Sequence, residues 1–264
     1  MTEHVALIGA GIMGQAIGTR LIECGHDLTV FDIDPVKVAL LVDIGAKPAA
    51  SPADATAASS FIILSLNHAD IVNKAVFGVD GVADQADASK LLIDMSSIDP
   101  AATADMAARL KSETGMAWVD CPLSGGVPGA TDGKLTIMAG GAAADFERAR
   151  VVMKDLAANY TLMGASGAGQ TTKLVNQLFC ALAFQAVAEA VKLAEAGGVD
   201  PAQIPAALAG GRADGRIMQE FMAKVAARDF TPTGSLGAVG NGRQGISGYR
   251  RTALVPQTDP DLFA

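Results

Sequence analysis

Residues 167–177 read GAGQTTKLVNQ and set one cation and three carboxamides, Gln170, Lys173, Asn176 and Gln177, at the head of the apolar run LVNQLFCALAFQAVAEAVKLAEAG. Spacing of i, i+3 and i+4 puts Lys173, Asn176 and Gln177 on one helical face, with Gln170 one turn earlier. A cation and amides projecting together from an apolar helix start suit a polar cleft. A face turned to solvent is the competing reading, and for a lysine alone it is the commoner one. The run turns apolar nearly all round farther on, so it is expected to be a largely buried helix at a domain interface.

A second chemical stretch, VDCPLSGGVPGATDGKLTIMAGG, begins at residue 119 and follows the apolar run MAWVD. Main-chain amides freed by Gly125 and Gly126, with the hydroxyl of Ser124, make a cradle suited to a carboxylate. An ordinary glycine-rich turn with a locally satisfied hydroxyl reads equally well.

The third is HVALIGAGIMG at the N-terminus, where Gly9, Gly11 and Gly14 follow an apolar strand and open a helical pattern. Gly9 allows a tight turn, Gly11 lets main-chain amides approach a pyrophosphate, and Gly14 permits close helix packing, while the helix N-terminus favours the anion. The next strand pattern, DLTVFD, ends in Asp32, eighteen residues beyond Gly14, where a carboxylate can bind ribose hydroxyls. A ligand-free glycine turn is the alternative, and strand, spacing and acid together weigh against it. A carboxylate at Asp32 repels a 2′-phosphate and no arginine follows it, so NAD is expected rather than NADP; Lys37 is the one nearby cation.

These stretches need elements to position them. HVALIG, DLTVFD, FIILSL, KLLIDM, MAWVDC and KLTIMAGG are strand candidates, separated by Ala-rich helical segments such as GQAIGTRLIECG and PAATADMAARLKSETG. Most strands lack polar alternation, as when helices cover both faces, so the fold class is α/β with a doubly wound, Rossmann-type parallel sheet over residues 1–163. From residue 164 the pattern is helical only, which predicts an all-α second domain over 164–238, entered by the long helix. Residues 239–264, VGNGRQGISGYRR and onward after Ala238, carry no helical period and read as an irregular tail.

Composition narrows the function. A formal net charge of −8 argues against general nucleic-acid binding, which needs a basic surface. Cys24, Cys121 and Cys180 are scattered, without ligand spacing, so neither disulfides nor a metal are expected. Gln177, Gln185, Glu189 and Lys192 interrupt the most apolar segment, so no membrane span is expected. The N-terminus shows no leader pattern, which makes the cytoplasm the expected location.

Taken together, LIGAGIMG, LLIDMSSIDP, VDCPLSGGVPGATDGKLTIMAGG and GAGQTTKLVNQ resemble the β-hydroxyacid dehydrogenase family over about residues 1–238. The resemblance implies an NAD-dependent oxidoreductase that oxidises a short 3-hydroxy acid or reduces the matching aldehyde acid, 3-hydroxyisobutyrate-like or tartronate semialdehyde/glycerate-like, and a homodimer. By motif it implies Lys173 as the catalytic lysine, Ser124, Gly125 and Gly126 as holders of the substrate carboxylate, and Asn176 and Gln177 as substrate contacts. Gln177 stands where many members have a second asparagine. Cofactor contacts are implied at Gly9, Gly11, Ile12, Met13, Gly14, Asp32, Leu66, Asn67 and Ser97, with Asn67 departing from the usual proline. Removing the hydroxyl proton suits a lysine whose affinity for protons is lowered towards neutrality, as a base or as a polarising donor. After residue 238 the match stops and the family's second active-site lysine has no counterpart, so a truncated or frameshifted end is expected, with a NAD-binding but inactive remnant as the competing function.

Overall fold

The computed structural model describes residues 2–229 and 231; the tail expected at 239–264 lies outside them. Along the chain come β1 (His4–Ile8), α1 (Ile12–Glu23), β2 (Asp27–Phe31), α2 (Pro35–Val42), β3 (Lys47–Pro48), α3 (Pro52–Ala57), β4 (Phe61–Leu64), α4 (Ala69–Phe77), β5 (Leu91–Asp94), α5 (Pro100–Thr114), β6 (Ala117–Asp120), β7 (Leu123–Ser124), α6 (Gly126–Thr131), β8 (Leu135–Gly140), α7 (Ala143–Met153) and β9 (Ala157–Gly164). They are followed by α8 (Ala168–Ala196), α9 (Ile204–Leu208) and α10 (Arg216–Ala226). Three of the helices start by one device. Asp34, Ser51 and Asp99 accept from first-turn amides of α2, α3 and α5, each with proline at the next position, where its missing N–H costs nothing.

The strands form one sheet in the order β3-β2-β1-β4-β5-β6-β8-β7, with β9 also on β8. From β3 to β6 every pairing is parallel. The chain works outward from β1 to β3, then returns to build β4 to β6 on the other side. The crevice where that direction reverses, between β1 and β4, is where open α/β sheets take their ligands. Beyond β6 the sheet is mixed: β8 runs antiparallel to β6 and β7, and β9 runs parallel to β8.

Residues of β4, β5 and β6 are buried on both faces, which is why their sequences read as apolar runs, closed by an aspartate in β5 and β6. Leu7, Ile63, Ile93 and Val119 pack on one side with Ile17 and Leu21 of α1. Ala6, Ile62, Leu92 and Trp118 pack on the other with Val72 and Val76 of α4 and Met106 and Leu110 of α5. Truncating a fully buried leucine here, such as Leu92, would cost about 2–5 kcal/mol. The six strand candidates all form strands; β9 has no such sequence signal, because only Ala157, Tyr160 and Leu162 turn inward while polar Asn159 and Thr161 face out.

Two compact units divide inside α8, the first covering 2–173 and the second starting at Leu174. The sequence texture changes earlier, at Gly164, where β9 ends. In the second unit Val187 and Val191 of α8 bury against Met222 of α10, flanked by Ile204, Ile217 and Met218, and Phe184 meets Phe221 edge to face at 5.0 Å. The expectation that α8 is largely buried is corrected: Val175, Phe179, Leu182 and Leu193 are exposed. Few elements are at hand to cover them among the described residues of this unit, namely a 3₁₀ turn (Pro201–Gln203), α9 and α10. α8 is also long and apolar enough to cross a membrane by length and composition, despite its polar interruptions.

The glycine turn after β1 gives a direct test of local packing. A Cβ on Gly14 would lie 2.0 Å from the carbonyl oxygen of Gly9, whereas a Cβ on Gly11 would meet nothing within 4 Å among the described residues. Gly14→Ala is therefore expected to lower stability by about 1–3 kcal/mol through overpacking. Gly11→Ala should stay within about 1 kcal/mol of wild type. Thermal melts of the two variants check the contrast.

Candidate active site

The first cluster closes around the turn between β1 and α1. Gly9 has φ 100°, a left-handed conformation, and a Cβ there would strike the Ser65 carbonyl at 2.4 Å. Asp32, just past β2, accepts the main-chain N–H of Ala10 on Oδ2 at 2.7 Å and that of Asp34 on Oδ1 at 2.9 Å. Gln15 pins the same turn by donating to the carbonyls of Ala10, at 3.0 Å, and Lys37, at 2.7 Å. Each oxygen of the Asp32 carboxylate keeps a lone pair for a second donor. Open space over Gly11, the amides of Ile12, Met13 and Gly14 in the first turn of α1, and this carboxylate fit a pyrophosphate and a ribose.

A second cluster lies where β5 and β6 end side by side, with Asp94 and Asp120 in register and both fully buried. Asp94 Oδ1 accepts the N–H of Ser96 at 3.0 Å, while its Oδ2 has no hydrogen-bond partner among the described residues. Burial pushes the Asp94 carboxyl up to about 7, against the pull of the Ser96 hydrogen bonds and with a further push from Asp120. Asp120 is raised too, by burial above all, although it accepts from Gly167 N–H at 2.8 Å and Gln170 N–H at 3.1 Å. Asp120 thus caps the start of α8 from a strand far away in sequence. Gly140 and Gly169 make the room, since a Cβ on either would come within 2.7 Å of the Asp120 carboxylate.

Two loops leave the neighbouring strand ends beside this pair. Leu66, past β4, donates its main-chain N–H to Ser96 Oγ at 3.1 Å, with Asn67 exposed beside it. Ser97, past β5, is half-buried. Gln170 was expected to join a polar cleft face; instead it is 1 % exposed, donating from Nε2 to the Ser96 carbonyl at 2.9 Å and accepting on Oε1 from Ile98 N–H at 3.2 Å.

Lys173 follows one turn later and its Nζ donates to the carbonyl of Leu123 at 2.6 Å. That contact sets the ammonium beside β7 and the residues after it. Ser124 belongs to β7, paired with Thr136, so it is anchored more firmly than a loop residue. Gly125 and Gly126 follow with φ 118° and 60°, two successive left-handed residues that turn the chain into α6. In the second unit, Asn176 Nδ2 donates to Gln177 Oε1 at 3.1 Å and lies 3.8 Å from Cys180 Sγ.

The first unit therefore carries the glycine turn, Asp32, Leu66, Asn67, Ser97, Ser124 to Gly126 and Lys173 on its own elements. Asp94, Asp120 and the inward role of Gln170 were missed from sequence. An aspartate closing an otherwise apolar strand, twice over in LLID and AWVD, was the signal available.

Residues 4–164 match the family model described as the NAD binding domain of 6-phosphogluconate dehydrogenase, and residues 167–240 match that described as NAD-binding of NADP-dependent 3-hydroxyisobutyrate dehydrogenase. The 2-hydroxy-3-oxopropionate reductase of Escherichia coli K12 is 38% identical over 228 residues, covering 86% of this chain and 77% of its own. The 3-hydroxyisobutyrate dehydrogenase of Pseudomonas aeruginosa is 36% identical over 202 residues, covering 76% and 67%. Among solved structures, the Mycobacterium tuberculosis 3-hydroxyisobutyrate dehydrogenase with L-serine superposes with a TM-score of 0.85 at 28% identity, covering 97% of this chain and 90% of that one.

The buried Asp94 carries a measurable cost. A carboxyl raised from 3.8 to about 7 in the fold binds its proton more tightly folded than unfolded. Its stabilisation is full below the unfolded value and is lost as pH rises through the folded one, amounting to roughly 4 kcal/mol. Asp94→Asn keeps the acceptor for Ser96 and cannot ionise, although its amide N–H groups offset part of the gain. The melting temperature of Asp94→Asn relative to wild type is expected to climb between about pH 4.5 and pH 8; a difference independent of pH would contradict this.

Proposed function

The chain belongs to the β-hydroxyacid dehydrogenase family, and we propose that it moves hydride between NAD and a short 3-hydroxy acid of the 3-hydroxyisobutyrate or glycerate type, with Lys173 as the acid/base. As a member it is an oxidoreductase that acts on short hydroxy acids with a nicotinamide cofactor. The observation that carries the assignment of Lys173 is its 2.6 Å bond to the Leu123 carbonyl, immediately before Ser124, at the carboxyl ends of the strands.

The cofactor would be held by the amides over Gly11 to Gly14 and by Asp32, with its nicotinamide half over the loops of Leu66, Asn67 and Ser97, because β4 to β6 form the second half of the sheet. When bound, the nicotinamide ring supplies the acceptor or donor of hydride. In the oxidative direction Nζ of Lys173 takes the hydroxyl proton as the C–H bond breaks; in the reductive direction it returns that proton to the aldehyde oxygen. Ser124, Gly125 and Gly126 are proposed to hold the carboxylate and so fix which carbon faces the ring. Asn176 and Gln177, carried by the family motif, are proposed as further substrate contacts. NAD is favoured over NADP because Asp32 repels a 2′-phosphate and Lys37, the cation nearest in sequence, is paired with Asp34 at 3.4 Å.

Family membership, rather than composition, supports reading α8 as part of an enzyme. A homo-oligomer in the cytoplasm is proposed, supported by the exposed Phe179, Leu182 and Leu193.

Lys173→Ala is expected to cut turnover of 3-hydroxyisobutyrate or glycerate by at least about a hundredfold, with NAD binding by calorimetry unchanged. Near-normal turnover would remove the assignment. A preference for NAD over NADP of at least about tenfold in kcat/KM should shrink in Asp32→Ser, since the repelling charge is gone.

A further inference from the structure

We propose that Gln170 is a positioning residue for hydride transfer: its side-chain amide pairs with the main chain on either side of Ser97 while its own N–H sits on Asp120, so one residue ties the Ser97 loop to the turn that carries Lys173. The inference rests on the reading of Lys173 given above.

The geometry is that of a missing strand. In a parallel pair, one residue bonds the carbonyl before and the N–H after its neighbour. Past Asp94, β5 has ended, and the Gln170 amide makes those two bonds instead, to Ser96 O at 2.9 Å and Ile98 N at 3.2 Å, bracketing Ser97. A carboxamide has one donor group and one acceptor and matches this pattern at once. With 1 % exposure, the residue is closed off from bulk water. The bracketed loop reaches farther, because Ser96 Oγ also accepts from Leu66 N–H, so the positions past β4 and β5 form one hydrogen-bonded body.

At its other end Gln170 is fixed to the strand layer by Asp120, and three residues on Lys173 reaches Leu123 O at 2.6 Å. Ser97 on the nicotinamide side and Lys173 on the substrate side are thereby referred to the same helical turn. A misplacement of about 1 Å between groups that must act together costs on the order of a hundredfold in rate. Loosening the bracket should appear in the chemical step and at the nicotinamide, and not at the adenosine end, which the glycine turn and Asp32 hold separately.

Two substitutions in the full-length protein test this. Gln170→Met keeps the length and removes both bonds. It is expected to lower kcat for 3-hydroxyisobutyrate by about thirtyfold or more, with a smaller change in KM, and to weaken NAD by about three- to tenfold while ADP-ribose binds as in wild type. Gln170→Glu matches glutamine only when protonated, with one O–H donor for Ser96 O and one acceptor for Ile98 N. The groups facing it are Asp120 from β6 and, behind it, Asp94 from β5, with Lys173 a turn away on α8. Its kcat relative to wild type should therefore fall between about pH 6 and pH 8 as the new carboxyl ionises.

A Gln170→Met enzyme with kcat within about threefold of wild type, or with NAD and ADP-ribose weakened alike, would overturn the proposal, since a merely structural role moves both ligands together. If Gln170→Met does not fold, the pH profile of Gln170→Glu decides, and a ratio constant with pH overturns it. Should Lys173→Ala retain turnover, the reading of Lys173 fails alone; the ratio of NAD to ADP-ribose affinity needs no turnover and still decides for Gln170.

Discussion

The seating of α8 on the Asp120 carboxylate is the constraint on which the rest of the first unit depends. A carboxylate buried at the end of a central strand is costly unless donors meet it. Here the N–H groups of Gly167 and Gln170 meet it, and these are amides that a helix start leaves without intrahelical partners. Two buried liabilities offset one another, and the contact is short because Gly140 and Gly169 bring no Cβ into it. Once α8 begins at that point, helical spacing alone carries Lys173 to the Leu123 carbonyl beside Ser124.

The same strand ends divide the work of the site. Around β1 and β2 a conformational constraint dominates: Gly9 and Gly14 let the chain turn tightly enough for Asp32 to catch the Ala10 amide, leaving open space over Gly11. Around β5 and β6 electrostatics dominate, with Asp94 and Asp120 both raised by burial and Asp94 pushed further by Asp120. Asp94 has an oxygen without a partner among the described residues and so keeps a cost that local packing does not remove. Natural folds tolerate such a cost where the surrounding elements fix the group in place.

Much of this was legible in the sequence, for reasons that differ by element. The six strand runs were readable because most of them lack polar alternation, as strands covered on both faces do, whereas the caps at Asp34, Ser51 and Asp99 are seen only in the structure. β9 was not readable, since its inward residues Ala157, Tyr160 and Leu162 show no strict alternation and depend on β8 and Phe146 for burial. Gln170 was misjudged because helical spacing tells which residues share a face, not what that face meets; its partners, Ser96 and Ile98, lie more than seventy positions away. For the same reason the apolar stretch of α8 predicted burial, while Phe179 and Leu182 are exposed.

The central claim is that Lys173, set by α8 beside Ser124, handles the hydroxyl proton of the substrate. A crystal structure of the chain with NADH and 3-hydroxyisobutyrate, an abortive pair that cannot turn over, would test it most directly. The account predicts Lys173 Nζ within about 3.2 Å of the 3-hydroxyl oxygen, with the substrate carboxylate on the amides of Ser124 to Gly126. A 3-hydroxyl bound by another group, with Nζ still on the Leu123 carbonyl and away from the substrate, would contradict it.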